Sequence, residues 1–455
     1  MPARVFDWLQ EQARRLSEEE GTKWLRLVQR RGCSAVQVTS FVGVIRAPDG
    51  FQIEVLPKIG KATRGDEAPQ IRQLLLDMLR CLGEFQHIQT DAAQLCAAHM
   101  PLLEVWIGEF LRAVERVVKR GLRGDYNTRQ DNLFALRGKL LMAAHLRQNL
   151  CRRDRFFTQF DEFSVNRPEN RLLHAALRRV LDWTRAQAHQ QLARELRFVF
   201  AEVPESMQPT LDFQRVRLDR DMGHYEDALA WARLILNEES PLTGAGEHRA
   251  PSLLFPMEKV FEAFVARHLP RQLAQPYRLQ QQASSLSLVQ HEGEDWFSLR
   301  PDLLVRERKR GANRLVLDTK WKLLDRANRA KQYGLSQADF YQLHAYGHNY
   351  LEGQGDVVLI YPKTDAFDAA LPVFEFPKSS GLRLWVLPFC LQSKRLLLPE
   401  EGAECGRLKA YFAQNPVCSG GLNSSLLAPR DSHGWMTGCP AAYCAVGVTS
   451  GTSGK

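Results

Sequence analysis

At 455 residues the chain is too long for one hydrophobic core, so two or three domains are expected. Its 44% hydrophobic and 25% charged residues are ordinary for a globular protein and exclude a fibrous or low-complexity chain. The positive charge is concentrated: Arg112 to Arg185 hold 17 Lys and Arg against 8 Asp and Glu, an excess equal to the whole chain's net charge of +9. Such a segment suits phosphate contacts through counterion release, unless its arginines are spent on helix-surface Glu and Asp.

The first twenty residues, MPARVFDWLQEQARRLSEEE, are charged and amphipathic and predict a helix from Val5 to Glu20 rather than an export signal. No later run approaches the eighteen or so apolar residues of a membrane span, so a soluble, cytoplasmic protein without a membrane segment is expected. Nine cysteines form no tight pairing pattern and read as free thiols. From Trp24 to Ile59 the chain alternates and is rich in Val, Ile and Phe, which predicts a β-region. Within it, Phe41 to Ile45 and Phe51 to Leu56 flank Ala47-Pro48-Asp49-Gly50, and Asp-Gly supplies the positive φ a hairpin turn needs. Pro168 suits the first turn of a helix whose stripe is Leu172, Leu173, Ala176, Leu177 and Val180. Trp183 and Trp231 read as core. Glu239 to Pro251 reads as a linker.

The C-terminal half carries the chemistry. Leu315-Val316-Leu317 runs into Asp318-Thr319-Lys320, and residues two apart on a strand share a face, so Asp318 and Lys320 project together. A second strand, expected from Trp296 to Val305, carries Asp302, and the turn Arg310-Gly311-Ala312-Asn313 brings the two side by side. Two carboxylates on neighbouring strands offer hard oxygen ligands to Mg²⁺, with Mn²⁺ able to substitute; a nearby lysine orients water and offsets phosphorane charge. That chemistry is phosphodiester hydrolysis. Beyond it, Asp356 to Pro362 and Leu382 to Leu387 read as buried strands. His344 and His348, four apart on a helix, have the spacing of a metal pair but no third ligand, and read as packing or solvent-facing residues. From Asn415 the chain is Gly- and Ser-rich and reads as disordered; Cys418, His433, Cys439 and Cys444 fit no common zinc spacing. No G-x-x-x-x-G-K-[ST] occurs, so no nucleotide is expected to bind this chain.

Pro301-Asp302 followed by Asp318-Thr319-Lys320 resembles the PD-(D/E)xK nuclease signature. The resemblance implies a further acid on the upstream helix of LLFPMEKVFEAFVARHL, where Glu262 fits and Glu258 is its rival, and Gln342 to Tyr346 resembles the QxxxY helix of RecB-like members, which implies a DNA-facing role for Gln342 and Tyr346. GVIRAPDGFQIEVLPKIG resembles the N-terminal signature of the McrC family, the nuclease subunits of McrBC modification-dependent restriction systems. EFLRAVERVVKRGLRGDYNTRQDNLFALRGKLL and FDEFSVNRPENRLLHAALRRVL follow in that family's order, and the likeness runs from about Thr39 to Tyr361. It implies an α/β chain (α+β overall): an N-terminal β-rich and helical partner-binding module over 1–165, a helical connector and linker over 166–250, and a PD-(D/E)xK mixed-sheet nuclease domain over 251–414, with 415–455 as tail. It also implies a McrB-like AAA+ GTPase ring as partner and double-stranded DNA with modified cytosine as substrate. Asp302 and Asp318 would bind the metal, Lys320 would position water, and Glu262 would assist. Two alternatives stand beside this: a non-catalytic activator of an AAA+ ring with a vestigial site, and an autonomous RecB-like repair nuclease.

Overall fold

The computed structural model describes residues 1–19, 25–30, 33–59, 68–82, 100–236, 252–281, 286–400 and 405–413. They divide into two compact units, one of residues 1–86 with 254–455 and one of residues 87–253.

The chain begins in the first unit. Helix α1 (Ala3–Glu19) buries Val5, Leu9 and Ala13, one stripe at helical spacing. Strands β1 (Leu25–Arg30) and β2 (Cys33–Val38) pair antiparallel. Strands β3 (Phe41–Arg46) and β4 (Gln52–Val55) form the expected hairpin, with Gly43 opposite Val55. Its turn is closed by Phe51 N donating to Asp49 Oδ1 at 2.9 Å, and Gly50 takes φ +82°, where a Cβ would be strained. Helix α2 (Ala68–Leu79) is tied to β4 by the Arg72–Glu54 ion pair at 2.7 Å.

The second unit holds helix α3 (Leu102–Arg120), strands β5 (Asp125–Leu133) and β6 (Lys139–Leu140), helix α4 (Met142–Asn149), strand β7 (Phe156–Ser164), and helices α5 (Pro168–Trp183), α6 (Gln187–Val199), α7 (Pro209–Arg215) and α8 (Gly223–Leu236). Helix α5 starts on Pro168 and buries all five residues of its expected stripe; Trp183 and Trp231 are buried, as expected of core residues. Helices α3, α5, α6 and α8 pack together, and β7 lies between β5 and β6 in a small sheet. Asn170 fastens helix to loop: its amide donates to the Arg123 and Val165 carbonyls at 2.9 and 2.8 Å, and its oxygen accepts from the Tyr225 hydroxyl.

The chain returns to the first unit through β8 (Ser252–Pro256), which joins β3 in a three-stranded sheet. Helix α9 (Met257–His268) and β9 (Tyr277–Gln281) follow, then a separate hairpin of β10 (Leu286–His291) and β11 (Glu294–Leu299). Strand β12 (Leu303–Glu307), strand β13 (Asn313–Thr319), helix α10 (Gln337–Leu351), strands β14 (Gly355–Pro362), β15 (Phe374–Glu375), β16 (Leu382–Cys390) and β17 (Arg395–Leu396) and helix α11 (Cys405–Lys409) complete it. The main sheet is mixed, in the order β15-β16-β14-β13-β12-β9 with β17 on β16; β13, β14 and β16 are parallel, and β12 is antiparallel to β13. Leu304, Val316, Val357, Leu359 and Leu384 face α10 with Leu343, Tyr346 and Tyr350 of that helix. The alternate residues face the other side, where Phe261 and Phe264 of α9 meet Phe389. Gly347 lets α10 approach β16, because a Cβ there would lie 2.5 Å from the Leu382 side chain.

Two expectations change. The strand expected from Trp296 to Val305 is two strands, β11 and β12, broken at Arg300-Pro301-Asp302; β11 pairs with β10 and not with the main sheet. The units also cut across the segments 1–165, 166–250 and 251–414, since β8 pairs back to β3 and draws the first 86 residues to the C-terminal half, while α5 packs with α3, α6 and α8 in the second unit. The linker Glu239 to Pro251 and the tail from Asn415, with its cysteines and His433, lie outside the described residues. Among the described residues no helix is long and apolar enough to cross a membrane. Among the described residues Cys81, Cys151, Cys390 and Cys405 form no disulfide.

Candidate nuclease site

The site is built where β12 and β13 meet. Leu303 pairs with Leu317 and Leu304 with Val316, so the register carried one step further sets Asp302 across from Asp318. Asp302 is fixed there by β13 itself: its Oδ2 accepts from Thr319 N and Thr319 Oγ1, each at 2.8 Å. Lys320 follows the last strand residue, held in line by its N–H on the Ile360 carbonyl at 2.9 Å. Its ammonium lies 2.8 Å from Asp318 Oδ2 and donates to Gln342 Oε1 at 3.3 Å.

Gln342 and Tyr346 continue the chain of contacts. Gln342 Nε2 donates to the Tyr346 hydroxyl at 2.7 Å, and that hydroxyl donates to the Arg300 carbonyl at 2.9 Å, directly before Pro301-Asp302. One turn on, the Tyr350 hydroxyl donates to the Leu299 carbonyl at 2.8 Å. Helix α10 therefore clamps the loop that carries Asp302. Tyr346 is only 3% exposed, and its hydroxyl is committed within the protein. The DNA-facing role expected for Tyr346 lacks the surface it needs; the side chain positions the loop instead.

Burial and like charge set the electrostatics. Asp318 is buried with neither oxygen accepting a well-formed hydrogen bond, its ion pair with Lys320 aside. Burial, then the Asp302 charge, raises its pKa against the pull of Lys320. Glu262, half-buried on α9, is pushed up to about 7, first by burial and then by Asp302 and Asp318. Glu262 is near enough to Asp302 and Asp318 to feel both charges, whereas Glu258 is exposed. Burial works to lower the Lys320 pKa, but Asp318 and Asp302 outweigh it and the amine stays charged.

These acids fit a hard divalent cation in one respect: a buried carboxylate short of hydrogen bonds seeks positive charge, and oxygen donors are the set such a cation takes. As arranged, with Lys320 on Asp318 and Thr319 on Asp302, no three His, Cys, Asp or Glu side chains among the described residues form a ready metal cage. His344 and His348 are both exposed, with ring centroids 4.4 Å apart and the rings tilted at 55°, and His348 Nε2 lies 3.1 Å from Ser379 Oγ.

Sequence reasoning missed Thr319, which anchors Asp302, and Asp339, whose Oδ2 accepts from the buried Tyr361 hydroxyl at 3.1 Å. Asp339 precedes Gln342 by three residues, the spacing of one helix face, and that was the signal available. In the basic segment many arginines are spent locally, on the pairs Arg116–Asp227, Arg129–Glu162, Arg171–Asp212 and Arg178–Glu205.

An acid–acid–lysine centre where two inner strands of a mixed sheet meet, between helices, defines a restriction-endonuclease-like α/β domain. The chain belongs to the family described as McrBC 5-methylcytosine restriction system component, whose model matches residues 36–362. Its fold is similar to that of a chain in the refined half-complex from the tetradecameric assembly of Thermococcus gammatolerans McrB AAA+ hexamers with bound McrC: TM-score 0.61 and 19% identity over 89% of this chain and 92% of that one. A chain of the cryo-EM structure of the Thermococcus gammatolerans McrBC complex gives a TM-score of 0.46 and 21% identity over 60% of this chain and 81% of that one. No curated protein matches the sequence.

Proposed function

We propose that this chain is the Mg²⁺-dependent DNA endonuclease subunit of a 5-methylcytosine-directed restriction complex, and that it also stimulates a partner AAA+ GTPase ring of the McrB type. The observation that carries the reading is the Lys320–Asp318 ion pair beside Asp302 on the neighbouring strand, inside a chain of the McrBC family. When bound, the divalent ion would supply Lewis-acid polarisation of a phosphate oxygen and a more acidic water. Asp302 and Asp318 would hold it. Glu262, poised near neutral pH, would complete the ligand set or take a proton from water. Lys320 would orient the attacking water and offset charge on the phosphorane, and Gln342 holds its amine on the face that α10 covers. The Tyr346 hydroxyl keeps Asp302 in place by gripping the Arg300 carbonyl.

The chain has no phosphate loop, so nucleoside triphosphate hydrolysis would fall to the partner. Exposed apolar side chains Phe134, Leu136, Met142, Leu146 and Leu150 cluster in the sequence between β5 and β7, and they suit a protein partner better than water. Cleavage of DNA bearing 5-methylcytosine, assayed with a McrB-type AAA+ protein and GTP, tests the reading: cutting requires both and Mg²⁺. Cutting without partner or triphosphate points to an autonomous nuclease. The Lys320 ammonium seated on Asp318 favours a second reading, a ring activator with a vestigial site, and calorimetry showing no Mg²⁺ or Mn²⁺ uptake selects it.

A further inference from the structure

The Lys320 ammonium sits where a cation must go. At 2.8 Å from Oδ2 of a carboxylate whose side chain is 1% exposed, it occupies the one charge that an entering divalent ion needs most. An ammonium driven off a buried carboxylate is costly unless another anion receives it. Gln342 Oε1, its other contact at 3.3 Å, is neutral.

A second anion stands beside it. Asp339 lies one turn before Gln342 on the same face of α10, so the residue next to the Lys320 contact on that face is a carboxylate. Tyr361 fixes it, donating from its hydroxyl to Asp339 Oδ2 at 3.1 Å. Tyr361 follows Ile360, whose carbonyl accepts the Lys320 N–H, so phenol and lysine leave adjacent strands side by side. The phenol is buried, and burial together with the Asp339 charge keeps it protonated, a donor at any working pH. Among the described residues Asp339 Oδ1 accepts no hydrogen bond, which leaves one oxygen open. Asp339 is also among the anions that stabilise the charged form of Lys320, after Asp318 and Asp302.

We propose that Asp339, held by Tyr361, is a positioning residue that receives the Lys320 ammonium when a divalent cation takes Asp318, so that the same amine guards the empty site and serves the loaded one. This deepens the nuclease reading and rests on it. In the free protein the amine partly neutralises the buried acid; on metal entry it shifts to Asp339 and Gln342 and faces the reacting phosphate from there. No bond is made or broken in the exchange, and the total charge changes only by that of the ion.

Calorimetry of Mg²⁺ binding to the purified full-length protein tests it with four proteins: wild type, Asp339→Asn, Lys320→Met and the double variant. Asp339→Asn should weaken Mg²⁺ binding about tenfold in the wild-type background and leave it unchanged in the Lys320→Met background, because the carboxylate acts only through the amine. Tyr361→Phe should reproduce part of the loss, and Asp339→Glu should restore most of the binding. Equal weakening in both backgrounds would make Asp339 a direct ligand and overturn the proposal, as would unchanged binding in Asp339→Asn. A melting temperature matched to wild type separates the effect from misfolding; should Asp339→Asn not fold, Tyr361→Phe carries the same comparison with and without Lys320→Met. No uptake by wild type overturns the metal-dependent reading itself, and this inference with it.

Discussion

The Tyr346 hydroxyl and the Arg300 carbonyl are joined at 2.9 Å, and this bond ties the helix that touches Lys320 to the loop that carries Asp302. Tyr346→Phe removes the donor and leaves a carbonyl unsatisfied, at a cost of about 1–2 kcal/mol of stability. Asp302 then loses part of its positioning, and cleavage should fall by between about ten- and a hundredfold, more than the stability loss explains. Urea unfolding and single-turnover cleavage measure the two. Wild-type cleavage by a correctly folded variant would show that Thr319 alone holds the loop.

Glu262 makes stability depend on pH in a defined direction. Its pKa rises from 4.5 to about 7 on folding, so the folded state binds the proton more tightly than the unfolded chain. Its contribution is therefore fully present below about pH 4.5 and is lost as pH rises through 7. Thermal melts of the metal-free protein across this window should show a falling melting temperature, and Glu262→Gln should flatten the slope. Mg²⁺ uptake at pH 7 should release protons, seen as a dependence of the calorimetric heat on buffer ionisation enthalpy, and Glu262→Gln should reduce that release.

The second unit has its own test. Gly138, in the Arg137-Gly138-Lys139 turn, has φ +71°, and a Cβ there would lie 2.3 Å from the Gln159 carbonyl oxygen. Gly138→Ala combines strain and overpacking worth about 1–3 kcal/mol, and the β6–β7 pairing should loosen. Stimulation of partner GTPase should drop while Mg²⁺ uptake by the other unit stays at the wild-type value. A loss of Mg²⁺ uptake instead would mean that the two units do not fold independently.

Not every buried acid of the sheet belongs to the site. Asp356 Oδ1 accepts from Trp385 Nε1 at 2.9 Å and pairs with Arg383 at 3.0 Å, with Arg407 3.5 Å from Oδ2. It is a partnered structural charge three residues before the strand position opposite Asp318, which is Leu359. Asp356→Ala leaves two arginines without their anion and should cost roughly 3 kcal/mol in denaturant unfolding. Mg²⁺ affinity of the folded fraction should be unchanged.

What was legible in the sequence was local. The hairpin from Phe41 to Val55 followed from Asp49-Gly50, and the pairing of β12 with β13 followed from the turn at Arg310 to Asn313, because turn chemistry fixes register. The strand drawn across Pro301 failed because apolar alternation continues through residues whose backbone is claimed from elsewhere: the Leu299 and Arg300 carbonyls are taken by Tyr350 and Tyr346. The pairing of β8 with β3 joins segments far apart in the chain, and no local pattern announces it. The resemblance to a QxxxY helix found Gln342 and Tyr346 but not their direction, since a tyrosine aimed at a nucleic acid and one aimed at its own loop have the same period. Asp339 was on the same helix face and went unread, as its partner Tyr361 comes from a strand that reads as purely apolar core.

In the proposed function Asp302 and Asp318 hold the metal on which DNA cleavage depends. The most direct measurement is Mg²⁺-dependent cleavage of 5-methylcytosine-containing DNA by Asp318→Ala, purified and assembled with its AAA+ partner and GTP. Cleavage should fall by at least about a hundredfold, with Mg²⁺ uptake lost and stimulation of the partner's GTPase retained. Cleavage at the wild-type rate by that assembled variant would contradict the account.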